Sequence, residues 1–316
     1  MKRATLVLAI ASAAAVLSGC ASVNFYAHYI PYYLSGPGPS GECGEGPDFK
    51  YCLYSAPKGV QDDPDSVLYF LHYADGSERS WGKIPIARVY YSEFRSRGLP
   101  APRVATVSYG PYWTLFDKPG PKSPARFAPF TEKVMPFIEE KLGRPKRRYV
   151  WGMSQGGNNA ALLVLKRKDL WSGAVFSCPA FYTFPIFGGP KVFADYVART
   201  HANAETAAWG RGLVADRIAG PEEWAKEDPL ARAAEASGLP PIYINCTKED
   251  AFGFFEGASR MAQILRERGQ SVVFKEESGA HCQLDARSIS GFLADLISGS
   301  LPSAAPSRTL RDRSGD

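Results

Sequence analysis

Histidine is scarce in this chain, with four in 316 residues. Any chemistry that needs an imidazole has few to choose from. No Cys-x-x-Cys pair and no run of histidines is present, so the spacing offers no zinc or other metal site. Nothing implies a cofactor, and no internal repeat appears. Charge of one sign is also in short supply. The formal net charge is +5, and two of the cations, Lys2 and Arg3, lie in a segment expected to be removed. That leaves 35 cations against 32 acidic groups, or +3. So small and scattered an excess excludes a nucleic-acid partner. Beyond the N-terminus no stretch is apolar enough to span a bilayer. What remains is an ordinary globular balance, 45% hydrophobic and 22% charged. The length suits one large α/β domain or two small ones.

The chain opens with "MKRATLVLAIASAAAVLSGC", a short basic start, an apolar run and small residues ending in cysteine. The run is too short for a good membrane span and reads as a secretory signal. Its end, "LSGC", resembles the bacterial lipobox. That resemblance implies that residues 1–19 are removed and that Cys20 is acylated, anchoring the protein to a membrane surface. The location implied is the bacterial cell envelope, with Ala21 favouring the periplasmic face of the outer membrane in a Gram-negative host. A plain signal peptide cut nearby is the alternative. Residues 20–46 are rich in Tyr, Pro and Gly and read as a tether that partly docks on the domain. The domain is expected over 47–299. The polar, aperiodic 300–316 is expected to lack fixed structure. In an exported protein cysteines pair readily. Cys43 and Cys52 flank a turn-rich stretch and predict a local disulfide.

The middle of the chain alternates apolar runs with amphipathic stretches. Strands are predicted at 66–73, 103–109, 147–153, 172–178, 240–246 and 271–277, and helices at 156–168, 254–268 and 284–298. Phe127, Phe130, Val134, Phe137, Ile138 and Leu142 mark one helix face over 126–142. Residues 179–240 read as irregular with short helices, among which Trp224 suits a surface helix packed on the core. Strands alternating with helices predict a single α/β domain, with a mostly parallel sheet covered by helices on both faces. Ligands then bind beyond the carboxyl ends of the strands.

The stretch "YVWGMSQGGNNAALL" (149–163) sets Ser154 between Gly152 and Gly156, after an apolar strand and before a helix. This is the context a nucleophile on a sharp strand-to-helix turn requires. The helix N-terminus adds a positive dipole and free N–H groups. A serine hydroxyl needs a base. His28 lies in the tether, His201 in a polar stretch, and His72 precedes the serine. His281, in "EESGAHCQLD", fits both the chain order Ser–acid–His and a loop after the last strand. Asp250 follows the strand "PIYINC" and is the candidate acid, with Glu249 as runner-up. Read without one another, these three are a structural turn serine, a solvated carboxylate and a surface histidine. The oxyanion needs N–H donors. One is the backbone of Gln155, and the other belongs to the loop "HYADGS" after the first buried strand. Of Cys178, Cys246 and Cys282 at most two can pair. Cys246–Cys282 would join the acid and base loops, and Cys178–Cys246 would join adjacent strands.

Together "VLYFLHYADGS", "GMSQGGNNAA", "LPPIYINCTKEDAF" and "GAHCQLD" resemble the Putative esterase family of α/β hydrolases over about residues 47–299. That family includes esterase D, feruloyl and acetylxylan esterases, enterochelin esterase and mycolyl transferases. The resemblance implies a serine hydrolase acting on carboxylic esters through an acyl-enzyme on Ser154. The second oxyanion donor then falls to Tyr73 or Ala74, with Tyr73 standing where such esterases usually carry Gly, and His72 shapes the loop. The aromatic segments 109–116, 180–189 and 251–255 are expected to converge on Ser154 and favour an aromatic or oily group on a small-molecule or polymer-borne ester. Two alternatives stand beside this reading: an acyltransferase using the same acyl-enzyme, and a catalytically silent binding lipoprotein of the same fold.

Overall fold

The computed structural model describes residues 38–300. Cys20, the signal segment, most of the tether and the tail 301–316 lie outside the described residues. Eight strands build one sheet: β1 (Ser40–Glu45), β2 (Lys50–Ser55), β3 (Asp62–Leu71), β4 (Ala101–Ser108), β5 (Arg147–Met153), β6 (Gly173–Ser177), β7 (Ile242–Thr247) and β8 (Val272–Glu277). Their order is β1-β2-β4-β3-β5-β6-β7-β8. All pairs from β4 across to β8 are parallel, while β1–β2 and β2–β4 are antiparallel. This is the mostly parallel α/β sheet that the residue pattern predicts. β6 and β7 are buried along their whole length, as expected of parallel strands covered on both faces.

Among the described residues the helices of seven residues or more are α1 (Ile86–Ser96), α2 (Met135–Lys141), α3 (Gln155–Lys166), α4 (Pro190–Thr200), α5 (Ala204–Ala215), α6 (Pro221–Glu227), α7 (Pro229–Glu235), α8 (Phe254–Glu267) and α9 (Ala286–Ser298). On β5, Gly152 abuts the start of α3, whereas Tyr149, an odd number of residues away, shares its side with Leu296 of α9. Side chains alternate along a strand, so α3 and α9 cover opposite faces. Between the sheet and α1, Phe70, Trp81 and Trp151 meet with ring centroids 5.0, 5.8 and 6.0 Å apart. Each such pair contributes about 0.5–1.5 kcal/mol beyond its buried area.

Two of the expected elements differ, each for a physical reason. First, the tether does not run to residue 46, because Ser40–Glu45 is the edge strand β1. Its polar sequence hides it, and it is held by a ladder in which Cys43 sits directly opposite Cys52 and is bonded to it. Second, the helix expected over 126–142 contains a wide turn at Phe130–Val134 before α2. Pro136 has no N–H to give to the normal i−4 carbonyl, and Met135 N–H reaches back to Phe130 O. Phe127, Phe130, Val134, Ile138 and Leu142 still share the buried face. Within 179–240 the expected short helices are α4 to α7. Trp224 is buried in α6 with its ring edge-on to Tyr182.

Candidate active site

In chain order β4 lies on one side of β3 and β5 on the other, so the sheet changes direction between β3 and β5. The carboxyl ends of those strands flank the crevice where ligands of open α/β sheets bind. Ser154 follows β5 directly, and His72 to Ala74 follow β3.

Ser154 has φ 54° and ψ −117°, a conformation costly for a residue with a Cβ. Three backbone bonds hold it there. Its N–H donates to Ser177 O at 2.9 Å, and its carbonyl accepts from Asn158 N at 3.2 Å and Ala180 N at 3.1 Å. The turn is as tight as its glycines allow. A Cβ on Gly152 would overlap the Gly156 carbonyl, and one on Gly156 would overlap the Leu71 carbonyl. In both cases the obstacle is backbone, which cannot rotate away. We expect Gly152→Ala to lower stability by about 3 kcal/mol, read as a drop in the thermal midpoint. A midpoint within a degree of the native protein would show that the turn is looser than described.

The partners come from strand ends further along the sheet. Asp250 follows β7 and is 2% exposed. Its Oδ1 accepts the N–H groups of Phe252 at 2.8 Å and Phe254 at 3.4 Å, and its Oδ2 lies 2.5 Å from His281 Nδ1. Those backbone donors offset the cost of burying a carboxylate. His281 follows β8, and its Nε2 lies 2.9 Å from Ser154 Oγ. Ser154, His281 and Asp250 are thus brought together in one hydrogen-bonded chain from strand ends separated by up to 127 residues. Glu249 is not part of it. Its carboxylate accepts the Gly279 N–H at 2.8 Å and ties the acid loop to the base loop. Phe252 leans over the imidazole with ring centroids 4.6 Å apart.

Neither proposed pairing of the later cysteines is found. The bond is Cys178–Cys282, and Cys246 is free and buried. Cys178 is the first residue beyond β6 and turns out of the sheet at φ 41°, so it reaches the loop beside the base. Cys246 is still inside β7, with its sulfur 3.7 Å from Asp250 Oδ2, and burial pushes its thiol pKa well up. The disulfide therefore fixes the residue next to His281 to the strand beside Ser154.

Beyond β3, His72 is buried. Trp113 Nε1–H donates to its Nε2 at 2.8 Å, so the ring proton sits on Nδ1 and donates to Tyr73 O at 2.7 Å. Ser108 Oγ lies 2.9 Å from Nε2. Burial holds the His72 pKa below the ordinary value, and the ring stays neutral. Tyr73 O also accepts the Gly76 N–H at 2.9 Å, and Ala74 O accepts the Tyr112 N–H at 2.7 Å. Gln155 opens α3, where a backbone N–H has no partner within its own helix.

A cleft of about 590 Å³ runs past Ser154. Of the aromatic segments expected to converge there, only Tyr112, Tyr182, Phe252 and Phe254 line it; Trp113, Phe116, Phe181 and Phe184 turn into the core. Two further walls carry no signal in the sequence. One is α5, which contributes Trp209, Gly210, Leu213 and Val214, and the other is the turn Lys83–Ile86. Trp209 is 47% exposed, and its ring lies 5.8 Å from Tyr112 and 6.0 Å from Phe252. The Ala- and Gly-rich α5 has almost no amphipathic pattern, so only the chain path shows Trp209 at the cleft.

The profile of the Putative esterase family matches residues 66–289, well over half the chain. The chain belongs to the Putative esterase family. Membership supports carboxylic-ester hydrolysis by this chain. No match is found among curated proteins. Among solved structures, a ferulic acid esterase is 14% identical, with a TM-score of 0.59 over 82% of this chain and 96% of its own. A thermostable carboxylesterase cloned from a metagenomic library is 18% identical, with a TM-score of 0.59 over 88% of this chain and 96% of its own. An esterase from Pyrobaculum calidifontis is 18% identical, with a TM-score of 0.57 over 88% and 92%. At such identities these structures establish the fold of this esterase, a single α/β-hydrolase domain.

Proposed function

We propose that this esterase works through an acyl-enzyme on Ser154. The observation that carries the reading is the continuous chain Ser154 Oγ–His281 Nε2 at 2.9 Å and His281 Nδ1–Asp250 Oδ2 at 2.5 Å. With Nδ1–H given to Asp250, the free lone pair of Nε2 faces the serine and can take its proton as Oγ attacks the ester carbonyl. The imidazolium so formed is stabilised by the Asp250 carboxylate and returns the proton to the leaving alcohol. The same base then activates water to release the acid. The Gln155 N–H and the N–H of Ala74 or Tyr73 receive the oxyanion. Ala74 is the better placed of the two. Its N–H points opposite the Tyr73 carbonyl across a trans peptide, and that carbonyl is held by His72 Nδ1–H and Gly76 N–H.

His72 is then a positioning residue. We expect His72→Ala to lower kcat about 10²-fold, the scale of losing one oxyanion donor, with KM changed little. His72→Asn, which restores an N–H near Tyr73 O, should recover part of the loss. Equal changes in kcat and KM, with no rescue, would mean a purely structural histidine.

The cleft walls Tyr112, Trp209 and Phe252 suit a planar or oily substrate group. The residues outside the structure add a membrane anchor through acylated Cys20, which would place the site at the bacterial envelope. Among the described residues no helix is long and apolar enough to cross a membrane. The test of the acyl-enzyme is labelling with a fluorophosphonate. The reagent should modify Ser154 stoichiometrically, and His281→Ala should slow that labelling sharply. Label on another residue would refute the mechanism. A p-nitrophenyl ester series from acetate to octanoate sizes the acyl pocket, and product analysis with added alcohol separates hydrolysis from transfer.

A further inference from the structure

The disulfide Cys178–Cys282 lies against the catalytic base as well as beside it in sequence. Cys282 Sγ is 3.5 Å from His281 Nε2. Cys178 Sγ, Cys282 Sγ and a His281 ring nitrogen all lie within 4.8 Å of one another. While the sulfurs are bonded to each other they are poor ligands. As separate thiolates they would make, with the imidazole, the Cys₂His donor set that zinc favours. We propose that reduction of Cys178–Cys282 turns the active site of this esterase into a binding site for a single zinc ion, held by Cys178, Cys282 and His281.

The geometry is close to what the ion needs. Tetrahedral zinc, with Zn–S near 2.3 Å and Zn–N near 2.05 Å, separates sulfur from nitrogen by about 3.6 Å and sulfur from sulfur by about 3.8 Å. The first separation is already present, and the second is that of two thiol sulfurs in van der Waals contact. The outer shell is also in place. Metal-bound histidines characteristically give their other ring N–H to a carboxylate, which orients the ring and raises its basicity. Asp250 Oδ2, at 2.5 Å from Nδ1, does this for His281. Ser154 Oγ, 2.9 Å from Nε2, is the oxygen donor at hand for a fourth position, with cleft water as its substitute. Cys282, His281 and Ser154 line the open cleft, so the ion has a path in.

The chemistry balances with a phosphine as reductant. The phosphine takes oxygen from one water and becomes its oxide, and the two sulfurs leave as thiols. Zinc then displaces one proton from each thiol and accepts the lone pair of Nε2. That lone pair is the one that takes the proton of Ser154, so a loaded site has no base. No closely spaced ligand pair in the sequence marks this site. Here the ligands are brought together across a separation of 104 residues.

The test uses the whole esterase, oxidised or reduced with a trialkylphosphine and then freed of it without air. Cobalt(II) is the spectroscopic probe and zinc the functional one. The reduced protein should bind one cobalt per chain, with the near-ultraviolet thiolate-to-cobalt band and the intense visible bands of a tetrahedral site. The oxidised protein should show neither. One equivalent of zinc should lower ester hydrolysis by the reduced form about 10²-fold, the scale of losing a general base, and a chelator should restore it. His281→Ala keeps the disulfide in its oxidised form; when reduced it should hold cobalt more weakly. Cys246→Ser, and the double variant Cys43→Ser/Cys52→Ser that removes the other reducible pair, should each leave the cobalt spectrum unchanged. A reduced protein that binds no stoichiometric cobalt, or that loses its cooperative thermal transition, overturns the proposal. So does a cobalt band that disappears with Cys246→Ser. Because the cobalt spectrum needs no turnover, it is read independently of whether Ser154 is the nucleophile.

Discussion

Ser154→Ala is expected to lower kcat on p-nitrophenyl acetate by about 10⁶-fold, the scale seen when a nucleophilic serine is removed from an intact triad. The fold should survive. The strained φ of 54° is held by backbone bonds from Ser177, Asn158 and Ala180, none of which uses the side chain. An alanine meets the same strain as serine, and the only side-chain bond lost is that to His281. The thermal midpoint should therefore stay within a few degrees while turnover collapses. The pairing of the two measurements decides the matter. A rate loss of only about tenfold, with an unchanged midpoint, would mean that water activated by His281 attacks the ester directly and that the acyl-enzyme is wrong. A loss of both rate and midpoint would show that the hydroxyl supports the turn.

Asp250→Asn is the second large effect, about 10⁴-fold in kcat, because an amide in place of the acid favours the wrong imidazole tautomer and no longer stabilises the imidazolium. Asparagine keeps the Oδ1 that receives the Phe252 and Phe254 N–H groups, so the loop should hold its shape. Glu249→Gln is the matched control. It removes a charge one residue away but retains an oxygen for the Gly279 N–H, so the expected change is only a few-fold. If Glu249→Gln proved the more damaging, the acid would have been misassigned. Both variants are to be compared at saturating substrate, since the effect belongs to kcat.

Much of this was legible before any coordinates. The short, mostly apolar runs 66–73, 147–153, 172–178 and 240–246 are bounded by turn residues and read as inner strands of a covered sheet, and each became one within a few residues. The members of the Ser154–His281–Asp250 hydrogen-bonded chain were readable because a shortage helped. With four histidines, chain order and strand-end placement left only His281. The glycines around Ser154 were readable because the turn leaves no room for a side chain, and that is a local constraint. The polar edge strand β1 was invisible, because its pairing comes from a neighbour and a disulfide and not from its own pattern.

By itself, then, the sequence determined the class of fold, the tight turn at Ser154 and the placing of Asp250 and His281 at later strand ends, since each depends on local propensity or on position along alternating elements. Only the tertiary structure decided that Cys178 and not Cys246 bonds to Cys282, that α5 brings Trp209 to the cleft, and that Trp113, Phe116, Phe181 and Phe184 of the aromatic loops turn inward. These outcomes turn on the direction of a side chain at a strand end and on the packing of segments far apart in the chain. A one-residue difference at the end of β6 or β7 reverses the face, and no periodicity in the sequence records it.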